Sequence, residues 1–526
     1  MAEIEIHSCT FENDVMSFPM GALCIQTAIN TSSLPHADLI RHNMDSDPEA
    51  AARKCVSRHP KAVGLSLYIW NAEWFRTFAE KLHSTCPDIM IFAGGPQISA
   101  FGDTLPPYLS FAVRGEGEIT TVEKLLEFFS TGTTERKIHD AALPDTEKLE
   151  SVFLSGNADV CLKDTDSVLL EMTRGCPYKC AFCFESRGNR TVRDFPLERI
   201  SREIDCLIKH NIVNVFVLDP TFNLNRKRAK TILRMLLEKS PEEMHYTFEI
   251  RAELLDREMA ALFAELNCSL QIGLQSANED ALRNIGREWN KELFTKNVKM
   301  LAKLGIPFGL DIIAGLPGDS LSSFMETIDY ATSLQPSNID CFVLSILPGT
   351  ELELTAPGLG IVCGGENNTV ESTPTFSTQE LAEARRIKKA MDLFYTRGQS
   401  CIWLHSILDA LGMTAHELFS SFADWMERKG LTENDDIWKM QLEFVTGLLR
   451  KAGKSALINA ATSFMKLHQG FSYVMETGET VSIQLSYSPS KLALLDTMSL
   501  EDFAARYREK KCTPCLTLED GEVMIY

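Results

Sequence analysis

The sequence predicts an α/β protein: a doubly wound parallel sheet, then a second strand–helix series, then a mostly helical remainder. Three observations carry that reading. Short apolar runs alternate with amphipathic helical stretches from Glu3 to Phe129, the same alternation restarts at Val168 and continues to Leu344, and beyond about residue 378 apolar residues recur at helical spacing. At 526 residues the chain is too long for a single core, and its length suggests about three domains.

The first unit, residues 1–140, reads in order as strand Glu3–Ser8, helix Met20–Asn30, strand Ala37–Arg41, helix Glu49–Arg58, strand Ala62–Tyr68 and helix Ala72–Ser84. Strand Ile89–Ala93, strand Phe111–Val113 and helix Thr120–Phe129 complete it. In open sheets of this kind ligands sit at the carboxyl ends of the strands. Those ends read Ser66-Leu-Tyr68-Ile-Trp70-Asn71, Gly94-Gly95-Pro96 and Gly115-Glu116-Gly117-Glu118, and Pro19-Met-Gly21 opens the first helix. Glycine there lets backbone approach a ligand closely, although each segment alone is ordinary turn chemistry.

Residues 141–165 are polar and turn-rich and read as a linker. The second unit, residues 166–355, has strands Val168–Met172, Asn214–Leu218, Tyr246–Ile250, Ser269–Ile272, Pro307–Ile313 and Asp340–Leu344. Helices Leu197–Lys209, Arg226–Glu238, Arg257–Leu266, Lys291–Leu304 and Leu321–Ser333 lie between them. Six strands so connected suit a partial (β/α)6 barrel, whose active residues belong at the carboxyl ends of its strands. The first such end carries Cys176, Cys180 and Cys183, in the run Glu171-Met-Thr-Arg-Gly-Cys-Pro-Tyr-Lys-Cys-Ala-Phe-Cys-Phe184. The spacing C-x3-C-x2-C puts three soft thiolates on one short loop, and no fourth Cys or His follows at zinc-finger spacing. An iron–sulfur cluster held at three corners suits it better than a closed zinc site. Three ligands leave one iron open, and an open metal position signals chemistry rather than structure.

This loop, with the aromatic Phe182 before its third cysteine, resembles the signature of the radical S-adenosylmethionine (SAM) enzymes. The resemblance implies a [4Fe–4S] cluster whose unique iron is chelated by the amino and carboxylate groups of SAM, and reductive cleavage of SAM to a 5′-deoxyadenosyl radical. It also implies residue roles. Asp219 stands where the family meets the SAM ammonium, Gln275 and Ser276 where it meets ribose and carboxylate, and Gly315, in Gly309-Leu-Asp311-Ile-Ile-Ala-Gly315-Leu-Pro-Gly318, where it meets adenine. The segment Phe248-Glu249-Ile-Arg251-Ala-Glu253 sets alternating charges on a strand, so either Glu249, Arg251 and Glu253 or their neighbours face the lumen.

The glycine-bearing ends of the first unit, directly upstream of the cysteine loop, resemble the cobalamin-binding domain that precedes many of these enzymes. That implies a Rossmann-like cobalamin domain with contacts from Ser66, Tyr68, Trp70, Asn71, Gly94, Gly95, Pro96, Gly115, Glu116 and Gly117. No D-x-H-x-x-G occurs, so no histidine is offered to the lower face of cobalt, and Tyr68, Trp70 and Asn71 are expected nearest that face. The resemblance covers about the first 355 residues. It implies methylation of an unactivated carbon through methylcobalamin, with electrons from an external donor such as flavodoxin or ferredoxin. Cyclisation or rearrangement with cobalamin as electron carrier is the alternative on the same architecture, and a cobalamin or iron–sulfur sensing module without turnover is the alternative from another class.

Residues 356–377, rich in Gly, Thr and Asn, read as a loop or lid. Residues 378–526 read as a helical domain with helices Thr378–Thr396, Ser400–Leu411, Ala415–Lys429, Asp435–Lys451 and Leu457–Leu467 and a short strand-like tail. In that tail Cys512 and Cys515 are read as ordinary thiols rather than a redox couple or ligands of a second cluster. With 52 Lys plus Arg against 72 Asp plus Glu, the net charge of -20 disfavours a nucleic-acid substrate. No apolar run is long enough to span a membrane, and the acidic amino terminus lacks the features of a secretory signal, so a cytoplasmic protein is expected.

Overall fold

The computed structural model describes residues 2–11, 17–186, 190–364, 368–519 and 521–526. The first unit is a six-stranded, all-parallel sheet of β1 (Ile4–Thr10), β2 (Ala37–Asn43), β3 (Ala62–Ser66), β4 (Met90–Gly94), β5 (Phe111–Arg114) and β6 (Ile138–Asp140). The strand order is β2-β1-β3-β4-β5-β6. Strand β6 closes the first unit where the sequence shows no strand; three residues at a sheet edge are too few to show an apolar pattern. Helices α1 (Met20–Asn30), α2 (Pro48–Arg58), α3 (Ala72–Thr85) and α4 (Glu118–Thr131) cover the two faces. Helix α2 shows why its bounds are sharp: the Asp47 side chain accepts from the Glu49 amide, Pro48 opens the first turn, and His59 leaves it at φ 55°.

The period of two along β1 sends Ile4 and Ile6 to a core shared with Ala22 and Ile29 of α1 and Leu125 of α4, while Cys9 joins Cys55, Phe75 and Phe78 beneath α2 and α3. Glu5 and His7 share the second face and are almost wholly buried. Glu5 accepts two bonds from Arg58 (2.6 and 2.8 Å), one from His7 Nε2 (2.9 Å) and one from the Cys55 thiol (3.3 Å), and His7 Nδ1 meets His42 Nε2 at 2.9 Å. Burial alone would raise the Glu5 carboxyl, but the bonds from Arg58 and His7 outweigh it and hold it down at about 2. A carboxylate so depressed adds stability above its ordinary value of 4.5 that is lost as pH falls towards 2. Glu5→Gln should therefore cost about 2–3 kcal/mol at pH 7 in a denaturant titration, with the gap to wild type closing through the window between 4.5 and 2.

The second unit is another six-stranded parallel sheet: β7 (Ser167–Leu170), β8 (Asn214–Val217), β9 (His245–Ile250), β10 (Cys268–Gln275), β11 (Phe308–Ala314) and β12 (Asn338–Val343). The strands pair in sequence order, and β7 and β12 remain edges, so the barrel is open. Helices α5 (Leu197–Lys209), α6 (Arg226–Lys239), α7 (Arg257–Glu265), α8 (Lys291–Lys303) and α9 (Leu321–Ser333) form the outer layer. The strand faces divide cleanly. Tyr246, Phe248, Leu270, Ile272, Leu310 and Ile312 are at most 1% exposed, whereas Thr247, Glu249, Ser269, Gln271, Asp311, Asn338 and Asp340 line a partly open, polar lumen.

The expected loop or lid at residues 356–377 is in part a hairpin, Val362–Gly364 with Thr369–Ser372, anchored by the fully buried Val370 and Phe376. Beyond it, α10 (Thr378–Met391) starts on a Ser377–Glu380 capping box and continues as a π-helical turn, Asp392–Arg397. The following helices, Leu404–Leu411, Ala415–Lys429, Ile437–Lys451 and Ile458–Thr477, share one continuous apolar core with the barrel, joining Leu381, Ile387, Phe394 and Trp403 to Ile313 and Leu316. Among the described residues no helix is long and apolar enough to cross a membrane.

Candidate active site

The cysteine loop leaves the carboxyl end of β7 and is fastened at several points. The Ala181 amide donates to Ile285 O (2.8 Å), the Leu352 amide to Ala181 O (2.8 Å) and the Cys183 amide to Cys180 O (3.0 Å). Arg251, just past β9, lays its guanidinium over the Tyr178 ring at 4.0 Å. Cys176 and Cys180 are each 8% exposed and Cys183 is partly exposed. Burial pushes the Cys176 thiol above its ordinary value, so a metal bound there must displace its proton.

The donor geometry suits a multi-iron cluster. Among the described residues the His/Cys/Asp/Glu trio with ligand atoms all within 4.8 Å of one another is Glu5, His7 and Cys55, so at least one pair of the loop's three sulfurs stands further apart than that. A tetrahedral zinc ion, with Zn–S of about 2.3 Å, would draw sulfurs to about 3.8 Å of one another. Wider spacing and an all-sulfur donor set match the corners of an iron–sulfur cubane.

Around the loop the structure redistributes several expected roles. Asp219 is 1% exposed, and its Oδ1 accepts the Met172 and Thr173 amides at 2.8 and 2.9 Å. Its carboxylate shapes the backbone entering the cysteine loop rather than lying open to an ammonium, and burial pushes it up to about 7. Ser276 is also withdrawn. It is fully buried, its hydroxyl lies 3.3 Å from both Asp319 Oδ2 and Thr327 Oγ1, and it accepts the Asn278 amide at 3.0 Å. Its neighbour Gln275 holds φ at 70° where the register between β10 and β11 shifts, the kind of non-glycine strain that folds retain at functional sites. Gly315, at φ 87° past the end of β11, backs onto Leu381 of α10, and Phe182 packs half-buried against the barrel core.

The lumen below is acidic. Gln271 Nε2 donates to Asp311 and, at 2.9 Å, to Asp340, which also accepts from Asn338 Nδ2 at 2.8 Å. This explains the aspartate in the otherwise apolar β11. Glu249 points into the same space, as one of the two parities allows. Burial, then the Asp311 charge, raises its carboxyl to about 7, and burial raises Asp311 to about 6. A carboxyl raised on folding makes the native state lose stability as pH climbs from its ordinary value of 4.5 to 7, after which the penalty is complete. Glu249→Gln should therefore be more stable than the metal-free wild type by about 1–3 kcal/mol at pH 8, with the difference vanishing below pH 4.5, in denaturant titrations at each pH.

The strand ends of the first sheet form a second surface. Tyr68 and Trp70 stack with ring centres 4.4 Å apart, and Trp70 is 42% exposed. Asn71 does not join that surface. It is 1% exposed, with Oδ1 accepting the Tyr68 amide (2.8 Å) and Nδ2 donating to Cys9 O (3.0 Å) and Ser66 O (3.1 Å), and so it clasps the loop after β3. Gly95 (φ 101°) presses on the Leu67 carbonyl where any Cβ would collide, Gly94 beside it is open, and Pro96 starts a 3-10 turn, Pro96–Phe101. Gly115 turns at φ 99°, and Gly117 precedes α4.

Glu116 between them is spent on protein. It pairs with Arg174 at 3.0 Å and with Arg193, while Arg174 also holds Glu118 (2.7 Å) and Glu171 (2.8 Å). Arg174 immediately precedes the cysteine loop, so this network ties the first sheet to the barrel at the site. Sequence pattern gives Arg174 as part of the loop motif, but its partners Glu118 and Glu116 lie 56 and 58 positions away and no local signal names them.

Residues 170–331, which carry the three-cysteine loop on the first strand of an open parallel barrel, match the model of the radical SAM superfamily. Over 329 residues the chain is 26% identical to the cobalamin-dependent radical SAM methyltransferase TokK of Streptomyces tokunonensis, an alignment covering 56% of this chain and 48% of TokK. The chain thus spans about half the length of the curated relatives it matches. Among solved structures it is similar to the cobalamin-dependent SAM radical enzyme OxsB, with a TM-score of 0.60 at 12% identity over 95% of this chain and 83% of that one. It is also similar to the radical SAM methyltransferase TsrM of Kitasatospora setae, with a TM-score of 0.56 at 17% identity over 69% and 76%. The order of a Rossmann-like sheet, a partial barrel and carboxyl-terminal helices is therefore a known architecture.

Proposed function

We propose that this protein is a cobalamin-dependent radical SAM enzyme that methylates an unactivated carbon of its substrate. The observation that supports this most is the convergence of two surfaces: the three-cysteine loop at the mouth of the barrel, and the glycine-lined, Tyr68–Trp70-bearing ends of the first sheet, linked through Arg174. TokK and TsrM, both named as methyltransferases, support the reaction class. When bound, a [4Fe–4S] cluster supplies the electron that cleaves SAM to a 5′-deoxyadenosyl radical, and cobalamin supplies a carrier for the methyl group.

The chain's own residues position and shield. Cys176, Cys180 and Cys183 hold the cluster, and the strained Gln275 and the Gly315 turn offer backbone and amide contacts to SAM. The Tyr68–Trp70 stack would offer a bound corrinoid an aromatic contact surface, and the acidic lumen of Glu249 and Asp311 favours the positively charged sulfonium. Electrons come from a small external carrier such as flavodoxin or ferredoxin.

The test is anaerobic reconstitution with iron, sulfide and cobalamin, followed by SAM and a reductant. Formation of 5′-deoxyadenosine together with a retained corrinoid spectrum supports the reading. SAM cleavage without corrinoid binding removes the methylation half, and no SAM cleavage removes the whole.

A further inference from the structure

Arg287 lies at the back of the cysteine loop. The turn before it carries that loop, since Ile285 O accepts the Ala181 amide and Gly286 packs on the Lys179 carbonyl. The Arg287 guanidinium hydrogen-bonds Cys180 and donates from Nη2 to Gly273 O, while its Nε is shut away from solvent with no partner. Among the described residues no carboxylate lies within ion-pair distance of it; Glu253 and Asp311 act on it only at longer range, and the charge of Arg251 opposes its own. Arg174, on the other side of the loop, has three glutamates. An arginine keeps its charge in proteins, so a desolvated guanidinium without an anion is costly unless something negative occupies the space beside it. A [4Fe–4S] core of charge 2+ on three thiolates carries one net negative charge, and two after it accepts one electron from an external low-potential carrier.

We propose that Arg287 is the internal counter-ion of the cluster, a positioning residue whose hydrogen bond to Cys180 fixes that ligand and favours the reduced state. The proposal rests on the iron–sulfur reading of the loop. A cation beside the cluster stabilises the extra electron, and its loss should disfavour reduction at least tenfold, which for a one-electron couple is 59 mV.

Wild type, Arg287→Gln and Arg287→Lys are reconstituted anaerobically with iron and sulfide, without SAM. Iron content and the midpoint potential of the cluster are then read by EPR-monitored reductive titration. The expected result is full iron in all three, a Gln midpoint at least 59 mV below wild type, and a Lys midpoint between them. A Gln protein with wild-type iron and wild-type midpoint overturns the proposal.

Thermal melting of the metal-free proteins is the second arm. Removing an unpaired cation should leave metal-free Arg287→Gln at least as stable as metal-free wild type, whereas a purely structural role through Gly273 would lower it. A Gln chain that melts earlier or fails to fold therefore also overturns the proposal. If wild type assembles no cluster, the cofactor reading falls first and this one with it.

Discussion

Replacing Cys176, Cys180 or Cys183 by alanine is expected to reduce 5′-deoxyadenosine formation to the level of a protein-free control. In the proposed function each thiolate holds one corner of a cubane that has only three protein ligands, so two remaining sulfurs would not retain it. The loss should be chemical rather than structural. The loop backbone is fastened through Ala181 and Leu352, and Cys183 is partly exposed. Cys183→Ala should therefore keep the stability of the metal-free chain within about 1 kcal/mol of wild type in a denaturant titration, while its iron content collapses.

The second large effect is expected at Arg174. Its side chain is 11% exposed and balances Glu116, Glu118 and Glu171. Arg174→Ala leaves those carboxylates facing one another out of water, and breaking a buried ion network on one side typically costs about 3–5 kcal/mol. Because the partners lie on the end of the first sheet and on the strand feeding the cysteines, the same variant should bind cobalamin more weakly at unchanged iron content. Arg174→Lys should recover only part, since one ammonium cannot reproduce a planar fork reaching three carboxylates. Denaturant titration and equilibrium dialysis with cobalamin measure the two effects separately. In an Arg174→Met, Glu118→Gln double variant the stability loss should be smaller than the sum of the single losses.

The division into two parallel sheets and a helical remainder was legible because it rests on periodicity. Apolar runs in β7 to β12 and amphipathic stretches in α5 to α9 repeat regularly enough to be counted. The cysteine loop was legible because three ligands of one type at fixed spacing are a local pattern. What pattern alone does not show is the protein partner that each polar residue finds. Asp219, Ser276, Asn71 and Glu116 all stand at strand ends, where ligand contacts belong, yet each is satisfied by protein. The partners are backbone amides and carbonyls, buried side chains or an arginine tens of residues away. Arg287 escaped notice for the converse reason, because an arginine after a turn looks like a surface residue until the fold turns it towards Cys180. The hairpin within residues 356–377 was hidden by glycine and threonine that read equally well as loop.

The central claim is that three thiolates on one loop hold a cubane with an open iron. Its most direct measurement is the EPR spectrum of the anaerobically reconstituted, chemically reduced protein, recorded with and without SAM alongside iron and zinc analysis. About four irons per chain are expected, with a signal whose shape changes when SAM binds the open corner. Tightly bound zinc in place of iron, or a cluster signal indifferent to SAM, would contradict it.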